Sequence, residues 1–191
     1  DNYGTVTGRF SSSNPNLQNI PSRDKKLGPL LRGMFIPEDG CVWRRADQSQ
    51  IEYRLLAHDL VGPGAEEIRE RYRKDPTTDY HAVTVDMVHN VAHVTLDRTP
   101  AKNLNFGLVY GMGKDKLIRS LGVSADLGAR LYEAYFEAMP SVKKTYKSAE
   151  RLAKRRGYIK TLLGRRRRFT EDEGAHKALN ARLQGGAADV M

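Results

Sequence analysis

The chain has 191 residues, of which 39% are hydrophobic and 29% charged, and its 32 lysines and arginines against 23 aspartates and glutamates give a formal net charge of +9. These proportions are ordinary for a globular protein, and no apolar run is long enough to span a membrane, which excludes a transmembrane helix within the sequence. The positive charge favours a polyanionic partner over a merely basic surface, and the single cysteine, Cys41, excludes an internal disulfide and a cysteine-based zinc site and fits a reducing compartment.

Turns and short elements are predicted for the first part of the chain. Residues 1–25 are rich in Ser, Asn, Pro and Gly, which predicts a loop. Residues 41–47 are predicted to form a short strand that ends at Asp47. Ser49 and Glu52 have the spacing of a capping box ahead of an apolar run, so a helix is predicted to begin directly after the strand.

Helices dominate the rest of the chain. Their predicted positions follow from apolar periodicity and from Gly, Pro and capping residues at their ends. In chain order, we predict a charged helix within 62–79, a helix over 80–93, a helix that starts after Asp97 and ends near Gly111 and Gly113, two amphipathic helices over 124–139 and 141–156, a pair of hairpin strands within 158–169, and a helix that begins at a Thr170–Glu173 capping box and runs to the end. The predicted fold class is therefore α+β, mainly helical.

One predicted helix carries four residues at strict four-residue spacing, namely Arg98, Lys102, Phe106 and Tyr110. Each step turns a helix by about 40°, so these side chains form a stripe about 18 Å long on one face. Two cations followed by two rings suit a nucleoside triphosphate, with phosphates on the cations and the base and sugar on the rings. The alternative is a core helix with both rings buried. Gly107 costs this helix about 1 kcal/mol relative to alanine, so either a partner helix or a ligand must approach closely there.

Several other polar residues allow both a functional and a structural interpretation. Asp47 at a strand end could hold Mg²⁺, which prefers oxygen ligands and substrate phosphates, or could cap a helix. Glu52 fits the third helical position of the capping box. The run Arg165–Arg168 offers cations either to a phosphate backbone or to solvent. His89 and His93 have metal-ligand spacing, but no third ligand completes a set.

Four segments of the sequence carry a resemblance to a known family. They are TGRFSSSNPNLQNIP (7–21), DQSQIEYRLLAH (47–58), RTPAKNLNFGLVYGMG (98–113) and LQGGAADVM (183–191). In this order they resemble the thumb–palm connection, motif A, motif B on the fingers O-helix, and the helix before motif C of the DNA polymerase I family, the family A DNA polymerases. The resemblance implies part of a polymerase right hand, with a palm segment over 1–60, fingers over 61–169 and a return toward the palm over 170–191.

The resemblance implies template-directed DNA synthesis, with transfer of a nucleotide from a dNTP to a primer 3′-hydroxyl. Asp47 would bind Mg²⁺ of a two-metal site with the Gln48 backbone carbonyl beside it, and Lys102 would contact the triphosphate and protonate the departing pyrophosphate. The implied nucleotide contacts are Arg98, Lys102, His81, Phe106 under the base and sugar, Tyr110 at the insertion site, Gln48, and Glu52 as a steric gate against a ribose 2′-hydroxyl. The expected contacts with primer-template DNA are Arg9, Asn105, Gly111 and Gln184, to which the cation run adds Arg165 and Arg166.

Departures from the family pattern set limits on these expectations. Gln48 stands where many relatives have Tyr, and His176 and Lys177 resemble phage-type members, which favours a phage or environmental viral source. The family's second metal-binding aspartate belongs to a His-Asp-Glu motif that this sequence lacks, and Asp189 does not replace it. We therefore expect a piece of a longer, monomeric, cytoplasmic polypeptide that supplies half of a two-Mg²⁺ site, has no membrane partner and lacks complete activity alone.

Two alternative functions stay open at this point. The missing second carboxylate motivates a non-catalytic remnant that binds DNA or nucleotides. A single-subunit RNA polymerase would share the arrangement from Lys102 to Tyr110. Glu52 as the steric gate and Phe106 in the stripe favour deoxynucleotides over that second alternative.

Overall fold

The computed structural model describes residues 4–21, 24–110, 112–170 and 174–191. The chain divides into two units, Asp1–Ser49 and Gln50–Met191. The described elements are α1 Leu27–Gly33, α2 Ile51–Asp59, α3 Ala65–Lys74, α4 Tyr80–Ala92, α5 Arg98–Val109, α6 Lys114–Leu121, α7 Ala125–Ala138, α8 Pro140–Arg156, β1 Tyr158–Lys160, β2 Arg166–Arg168 and α9 Ala178–Val190. The predicted α+β, mainly helical class is confirmed.

The first unit is mostly irregular. Residues 4–21 form a loop, as predicted, apart from a single 3-10 turn at Leu17–Asn19. Helix α1 was not among the predicted elements. Just before this helix, Asp24 Oδ1 accepts the backbone N–H groups of Lys26 and Leu27, both at 2.8 Å. The Asp24 side chain therefore satisfies backbone groups at the start of α1.

The predicted strand over 41–47 is wrong. This segment has no regular structure, and no described segment pairs with it. A strand requires a neighbour whose backbone groups complete the ladder, which a run of apolar residues does not supply by itself. Val42 and Trp43 are accordingly 76% and 71% exposed.

The N-cap residue of α2 lies one residue later than predicted. Gln50, not Ser49, is the N-cap residue, with a left-handed φ of 53° and no side-chain bond to its own helix. Its Oε1 instead accepts the backbone N–H of Tyr80 at 3.1 Å, at the first residue of α4. Gln50 therefore joins the starts of two helices, a contact across 30 residues that local spacing does not reveal.

The core of the second unit forms where α4 packs against α5 and α7 and where α2 and α8 pack against α9. Helices α3, α4, α5, α7 and α8 lie close to their predicted positions, whereas α6, between Gly113 and Gly122, was missed. The largest fully buried side chains include Tyr80, Tyr135, Leu56, Ile68, Leu104 and Leu117. This packing holds α4 and α5 side by side.

Gly107 marks a close contact between two helices. A Cβ built on Gly107 would lie 2.5 Å from Leu117 Cδ1 of α6. Of the two explanations that the sequence allowed, a partner helix is therefore the correct one. The stripe residues lie on a different face of α5.

The predicted hairpin is confirmed, with Tyr158 opposite Arg168 and Lys160 opposite Arg166 in an antiparallel pair. Helix α9 begins at Ala178, after a 3-10 turn at Ala175–Lys177, and not at the predicted Thr170–Glu173 capping box. Thr170 is outside any helix, and Glu173 lies outside the described residues. Over the described part of the chain, no helix is both long enough and apolar enough to cross a membrane.

Arg182 connects α9 to α2 and β1. Its Nη2 donates to Asp59 Oδ1 at 2.6 Å, its Nε donates to the same carboxylate, and its Nη1 donates to the Lys160 carbonyl at 3.0 Å. The Asp59 side chain is only 10% exposed. Because loss of the guanidinium leaves a nearly buried carboxylate unpaired, Arg182→Ala is expected to lower the free energy of unfolding by about 2–3 kcal/mol in urea titrations.

The matched control for this prediction is Arg155→Ala, which removes an exposed arginine from α8. We expect that control to change the free energy of unfolding by less than about 0.5 kcal/mol. Equal effects of the two substitutions would contradict a stabilising role for the Arg182–Asp59 pair.

Candidate functional site

The stripe predicted from the sequence lies along α5 and the residue after its end. Lys102 Nζ lies 5.7 Å from the centre of the Phe106 ring. The rings of Phe106 and Tyr110 are stacked, with centres 5.6 Å apart and planes 18° apart. Arg98 and Lys102 are exposed, and the two rings are half-buried. The expected order of two cations and two rings is therefore present on one surface, while the roles assigned to these residues stay predictions.

His81 of α4 lies beside the Phe106 ring of this surface. It is 4% exposed, and its ring centre lies 5.8 Å from that of Phe106. Its Nδ1 lies 3.0 Å from Asn105 Nδ2. An amide nitrogen can only donate, so Nδ1 accepts and the ring proton resides on Nε2. Burial, together with Arg98 and Lys102, lowers the pKa of His81 against the opposing influence of Asp79. A neutral imidazole with a donor at Nε2 results.

Asn105 supports His81 and does not present its amide to the surface. It is fully buried, and its Nδ2 also donates to Thr84 Oγ1 at 2.9 Å. Thr84 Oγ1 lies 3.0 Å from the Tyr80 carbonyl, to which it can donate. Its amide hydrogens bond within the core, and the DNA contact expected at Asn105 stays a prediction.

Asp79 connects the first cation of the stripe to the His81 turn. Its Oδ2 accepts from Arg98 Nε at 2.6 Å, and its Oδ1 accepts the His81 backbone N–H at 3.0 Å as the cap of α4. Partial burial acts to raise the pKa of Asp79, but the bonds from Arg98 and His81 outweigh it and hold that pKa below its ordinary value. The sequence analysis missed Asp79, although an Asp before a helical run is a cap signal.

Glu52 and Tyr110 meet at the other end of the stripe. Tyr110 Oη donates to Glu52 Oε2 at 2.7 Å, which connects α2 to the end of α5. The next residue of α2 is the buried Tyr53, whose ring centre is 4.8 Å from that of His81 and 5.5 Å from that of Phe106. Tyr53 was also missed, because its apolar position looks like any core residue. Helices α2, α4 and α5 thus contribute one continuous aromatic cluster.

The metal-binding candidates Asp47 and Gln48 belong to the first unit. Both are exposed, as is Arg9 in the same unit. Among the residues that the structure describes, no three His, Cys, Asp or Glu side chains come together as a metal site. The pair His89 and His93 therefore gains no third ligand there.

The candidate DNA contacts of the second unit differ in what surrounds them. Arg165 donates from Nε to Asp189 Oδ1 at 2.6 Å and from Nη2 to the Gly185 carbonyl at 2.8 Å, and the DNA contact expected of it stays a prediction. Arg166 is exposed, with its guanidinium carbon 5.1 Å from the centre of the Tyr158 ring. Gln184 is half-buried on α9, and Gly111 lies outside the described residues.

Acid is expected to destabilise the second unit through His81. Because burial lowers the pKa of His81 in the folded chain, the unfolded chain binds a proton that the folded chain does not. Stability is therefore lost as the pH falls through 6.5, the ordinary histidine value. Urea unfolding between about pH 7.5 and pH 5 should show a steeper loss in the wild-type chain than in His81→Gln.

The control for this prediction is His58→Gln, which changes an exposed histidine of α2. That variant should keep the wild-type dependence of stability on pH. If His81→Gln keeps it as well, the buried imidazole is not the source of the acid sensitivity.

The arrangement of these helices matches that of a polymerase domain. The chain is similar to the POL domain of Pol1 from M. smegmatis, solved in complex with DNA primer-template and dNTP, with a TM-score of 0.78 and 32% identity over 97% of this chain and 34% of that one. All residues from 1 to 191 match the family model for DNA polymerase family A. The chain therefore belongs to DNA polymerase family A, as the four sequence segments predicted.

The most similar relatives include both phage and bacterial polymerases. The chain is 35% identical over 235 residues to a DNA-directed DNA polymerase of Pseudomonas phage M6, covering 97% of this chain and 34% of that protein. It is 37% identical over 199 residues to the thermostable DNA polymerase I of Thermus aquaticus, covering 98% of this chain and 23% of that protein. The chain thus spans about a third or less of the length of these relatives.

Proposed function

We propose that the polymerase to which this chain belongs synthesises DNA on a template, joining a dNTP to a primer 3′-hydroxyl, and that α4 and α5 bind the incoming nucleotide. The single observation that carries this proposal is the surface formed by Lys102, Phe106, Tyr110 and the His81 ring. Cations stand at one end of this surface and half-buried rings at the other. A triphosphate with an attached base and sugar has the same polarity along its length.

The cationic end suits the triphosphate. Lys102 forms no ion pair with a described carboxylate, so its charge is available to phosphate oxygens. Arg98 can reach the same group after it leaves Asp79. His81 would donate from Nε2 to a phosphate oxygen, since Asn105 occupies its Nδ1. These three groups would neutralise charge that develops as pyrophosphate departs.

The aromatic end suits the base and sugar. Phe106 would pack against the nucleotide, and Tyr110 beside it would contact the templating position. Glu52 lies within hydrogen-bond distance of Tyr110, which fixes the position of the proposed steric gate against a ribose 2′-hydroxyl. Glu52 thus lies on α2, and the Tyr110 ring directly follows the end of α5.

Mg²⁺ is the metal that the proposed reaction requires. Magnesium sites commonly use one or two carboxylates, waters and substrate phosphates, and the exposed carboxylate of Asp47 with the Gln48 carbonyl fits half of such a site. When bound, the metal would stabilise charge on the attacking and leaving oxygens. The family pattern puts a second carboxylate in a His-Asp-Glu motif, which the 191 residues do not contain.

In the proposed transfer, Lys102 acts as the general acid. The primer 3′-oxygen forms a bond to the α-phosphorus and loses its proton to solvent. The bond between the α-phosphorus and the bridging oxygen breaks, and pyrophosphate accepts a proton from Lys102. The ammonium then regains a proton from solvent. No redox step is involved.

The remaining contacts are proposed from the family pattern and from charge. Arg9, Gln184, Arg166 and Gly111 would contact primer-template DNA. The divisions proposed for a monomeric polymerase are palm over 1–60, fingers over 61–169 and a return toward the palm over 170–191.

Primer extension by the full-length polymerase that carries this chain tests the proposal. A primed DNA template is supplied with the correct dNTP, an incorrect dNTP or the matching rNTP. We expect extension only with the templated dNTP. No extension with any nucleotide would favour the non-catalytic remnant, and a preference for the rNTP would favour an RNA polymerase.

A further inference from the structure

Gln50 combines a strained backbone with a side chain that bonds to another helix. It is half-buried at the start of α2, with φ 53° and ψ 35°, in the left-handed region that residues with a side chain rarely adopt. Glycine would adopt these angles at no steric cost. A glutamine at this position therefore indicates that its side chain contributes something that offsets the strain.

The backbone and the side chain of Gln50 bond to different helices. Its carbonyl accepts the backbone N–H groups of Tyr53 and Arg54 at 2.9 and 3.1 Å, within the first turn of α2. Its Oε1 accepts the backbone N–H of Tyr80 at 3.1 Å, at the first residue of α4. The side chain of an N-cap residue ordinarily bonds to its own helix. Gln50 instead leaves α2 without a side-chain cap and satisfies a donor of α4.

The first turn of α4 thus depends on two side-chain acceptors of different origin. The first N–H groups of a helix have no partner within it. Asp79 accepts the N–H of His81 at 3.0 Å from the adjacent cap position, whereas the N–H before it depends on Gln50. The ring of Tyr53 adds to this connection, because it stacks on the Tyr80 ring with centres 4.9 Å apart and planes 18° apart. The first turns of α2 and α4 are therefore held together at Tyr80.

Two residues next to this connection are proposed nucleotide contacts. Glu52, the proposed steric gate, stands two residues after Gln50 on α2. His81, a proposed triphosphate contact, directly follows Tyr80 on α4. The sugar of a nucleotide joins the base to the triphosphate, so the space for a 2′-hydroxyl would depend on the distance between the gate and the phosphate contact. The bond between Gln50 and Tyr80 bears directly on that distance.

We propose that Gln50 is a positioning residue that sets the distance between Glu52 and His81 and thereby contributes to the selection of dNTP over rNTP. The inference rests on the nucleotide site proposed above and adds a residue that acts through its neighbours. Without the Oε1 acceptor, the first N–H of α4 loses its partner, and α4 can shift relative to α2. The gate then excludes a 2′-hydroxyl less completely.

A bond that only stabilises the fold is the alternative interpretation, and the chain offers a matched example of such a bond. Thr145 Oγ1 of α8 accepts the backbone N–H of Val61 at 3.0 Å, across 84 residues. This bond also joins distant parts of the second unit through a side-chain oxygen, but no proposed nucleotide contact is adjacent to it in the sequence. Thr145→Val removes the acceptor with little change of shape, so it serves as the control.

Single-nucleotide primer extension by the full-length polymerase tests the proposal, with the ratio of kcat/KM for the correct dNTP to that for the matching rNTP as the readout. Gln50→Met keeps an unbranched side chain of similar length but has no acceptor oxygen, and we expect it to lower this ratio about fivefold. Gln50→Glu keeps an acceptor oxygen and should retain the wild-type ratio. Thr145→Val should retain it as well.

Gln50→Gly separates the strain from the bond. Glycine relieves the left-handed φ but supplies no acceptor. We therefore expect Gln50→Gly to resist urea better than Gln50→Met, while both variants show the same lowered dNTP/rNTP ratio. If Gln50 contributed only to stability, the ratio would instead rise and fall with the urea midpoint.

Hydrogen exchange in the full-length polymerase, measured by mass spectrometry, tests the bond without any nucleotide. The peptide that contains the Tyr80 amide should exchange faster in Gln50→Met than in the wild type, and Thr145→Val should leave its exchange unchanged. Equal exchange in Gln50→Met and the wild type would overturn the proposal.

The kinetic outcomes distinguish this inference from the function on which it rests. A wild-type dNTP/rNTP ratio in both Gln50→Met and Gln50→Gly would overturn the role of Gln50 alone, and so would an equal fall of the ratio in Thr145→Val. Absence of extension by the wild-type polymerase would remove the proposed polymerase function, and this inference with it.

Discussion

Asp47→Ala in the full-length polymerase is expected to slow dNTP incorporation by about a thousandfold. The exposed carboxylate of Asp47 is the one side chain of this chain that the family pattern assigns to the metal. Its removal would take away stabilisation of the attacking and leaving oxygens, which is worth several kcal/mol. Single-turnover primer extension at saturating dNTP measures the rate of the chemical step.

The matched control is Asp39→Ala, an exposed aspartate of the same unit. It should retain the wild-type rate. Raising the Mg²⁺ concentration should recover part of the activity of Asp47→Ala only if the residue acts as a metal ligand. Undiminished incorporation by Asp47→Ala would remove this residue from the site.

Lys102→Ala is expected to lower kcat/KM for the dNTP by about 2–4 kcal/mol of transition-state stabilisation, roughly 30- to 1,000-fold. Its ammonium is exposed beside the Phe106 ring. The loss combines weaker binding of the triphosphate with the absence of a proton donor for pyrophosphate. Steady-state kinetics separate the two contributions as changes in KM and kcat.

Lys102→Arg distinguishes the charge of this residue from its proton. Arginine restores a cation but does not release its proton near neutral pH. We therefore expect KM to recover while kcat stays low. Lys116→Ala on α6, which removes another exposed lysine, should leave both constants unchanged. Full recovery of kcat in Lys102→Arg would exclude Lys102 as the proton donor.

The sequence predicted the parts of this fold that depend on local pattern. The stripe on α5 follows from helical periodicity alone, and α8 ends at Gly157 with φ 70°, the conformation for which glycine is the usual residue. The strand over 41–47 failed because a strand depends on a partner that can be distant in sequence. Helix α6 was missed although glycines stand at both of its ends.

The candidate site was likewise predictable where it depends on local pattern. Lys102 and Phe106 lie on α5 and Tyr110 directly follows it, so their alignment needs no knowledge of tertiary structure. Asn105 lies on that same helix yet bonds to His81, 24 residues away, and nothing in the local sequence distinguishes a buried amide from an exposed one. Tyr53 and Asp79 contribute only after three helices pack together.

The bond between Arg98 and Asp79 makes anion binding at the first stripe position an exchange of partners. Arg98 already holds a carboxylate oxygen at 2.6 Å, so an incoming phosphate gains only the difference between two ion pairs. A ligand with a single, weakly held anionic group is therefore expected to compete poorly with Asp79 for Arg98. A polyphosphate bound at Lys102 would hold its other phosphates near Arg98, and their high local concentration would let them displace Asp79. Asp79 remains the cap of α4 in either case. We therefore expect the proposed site to favour anions long enough to engage both cations.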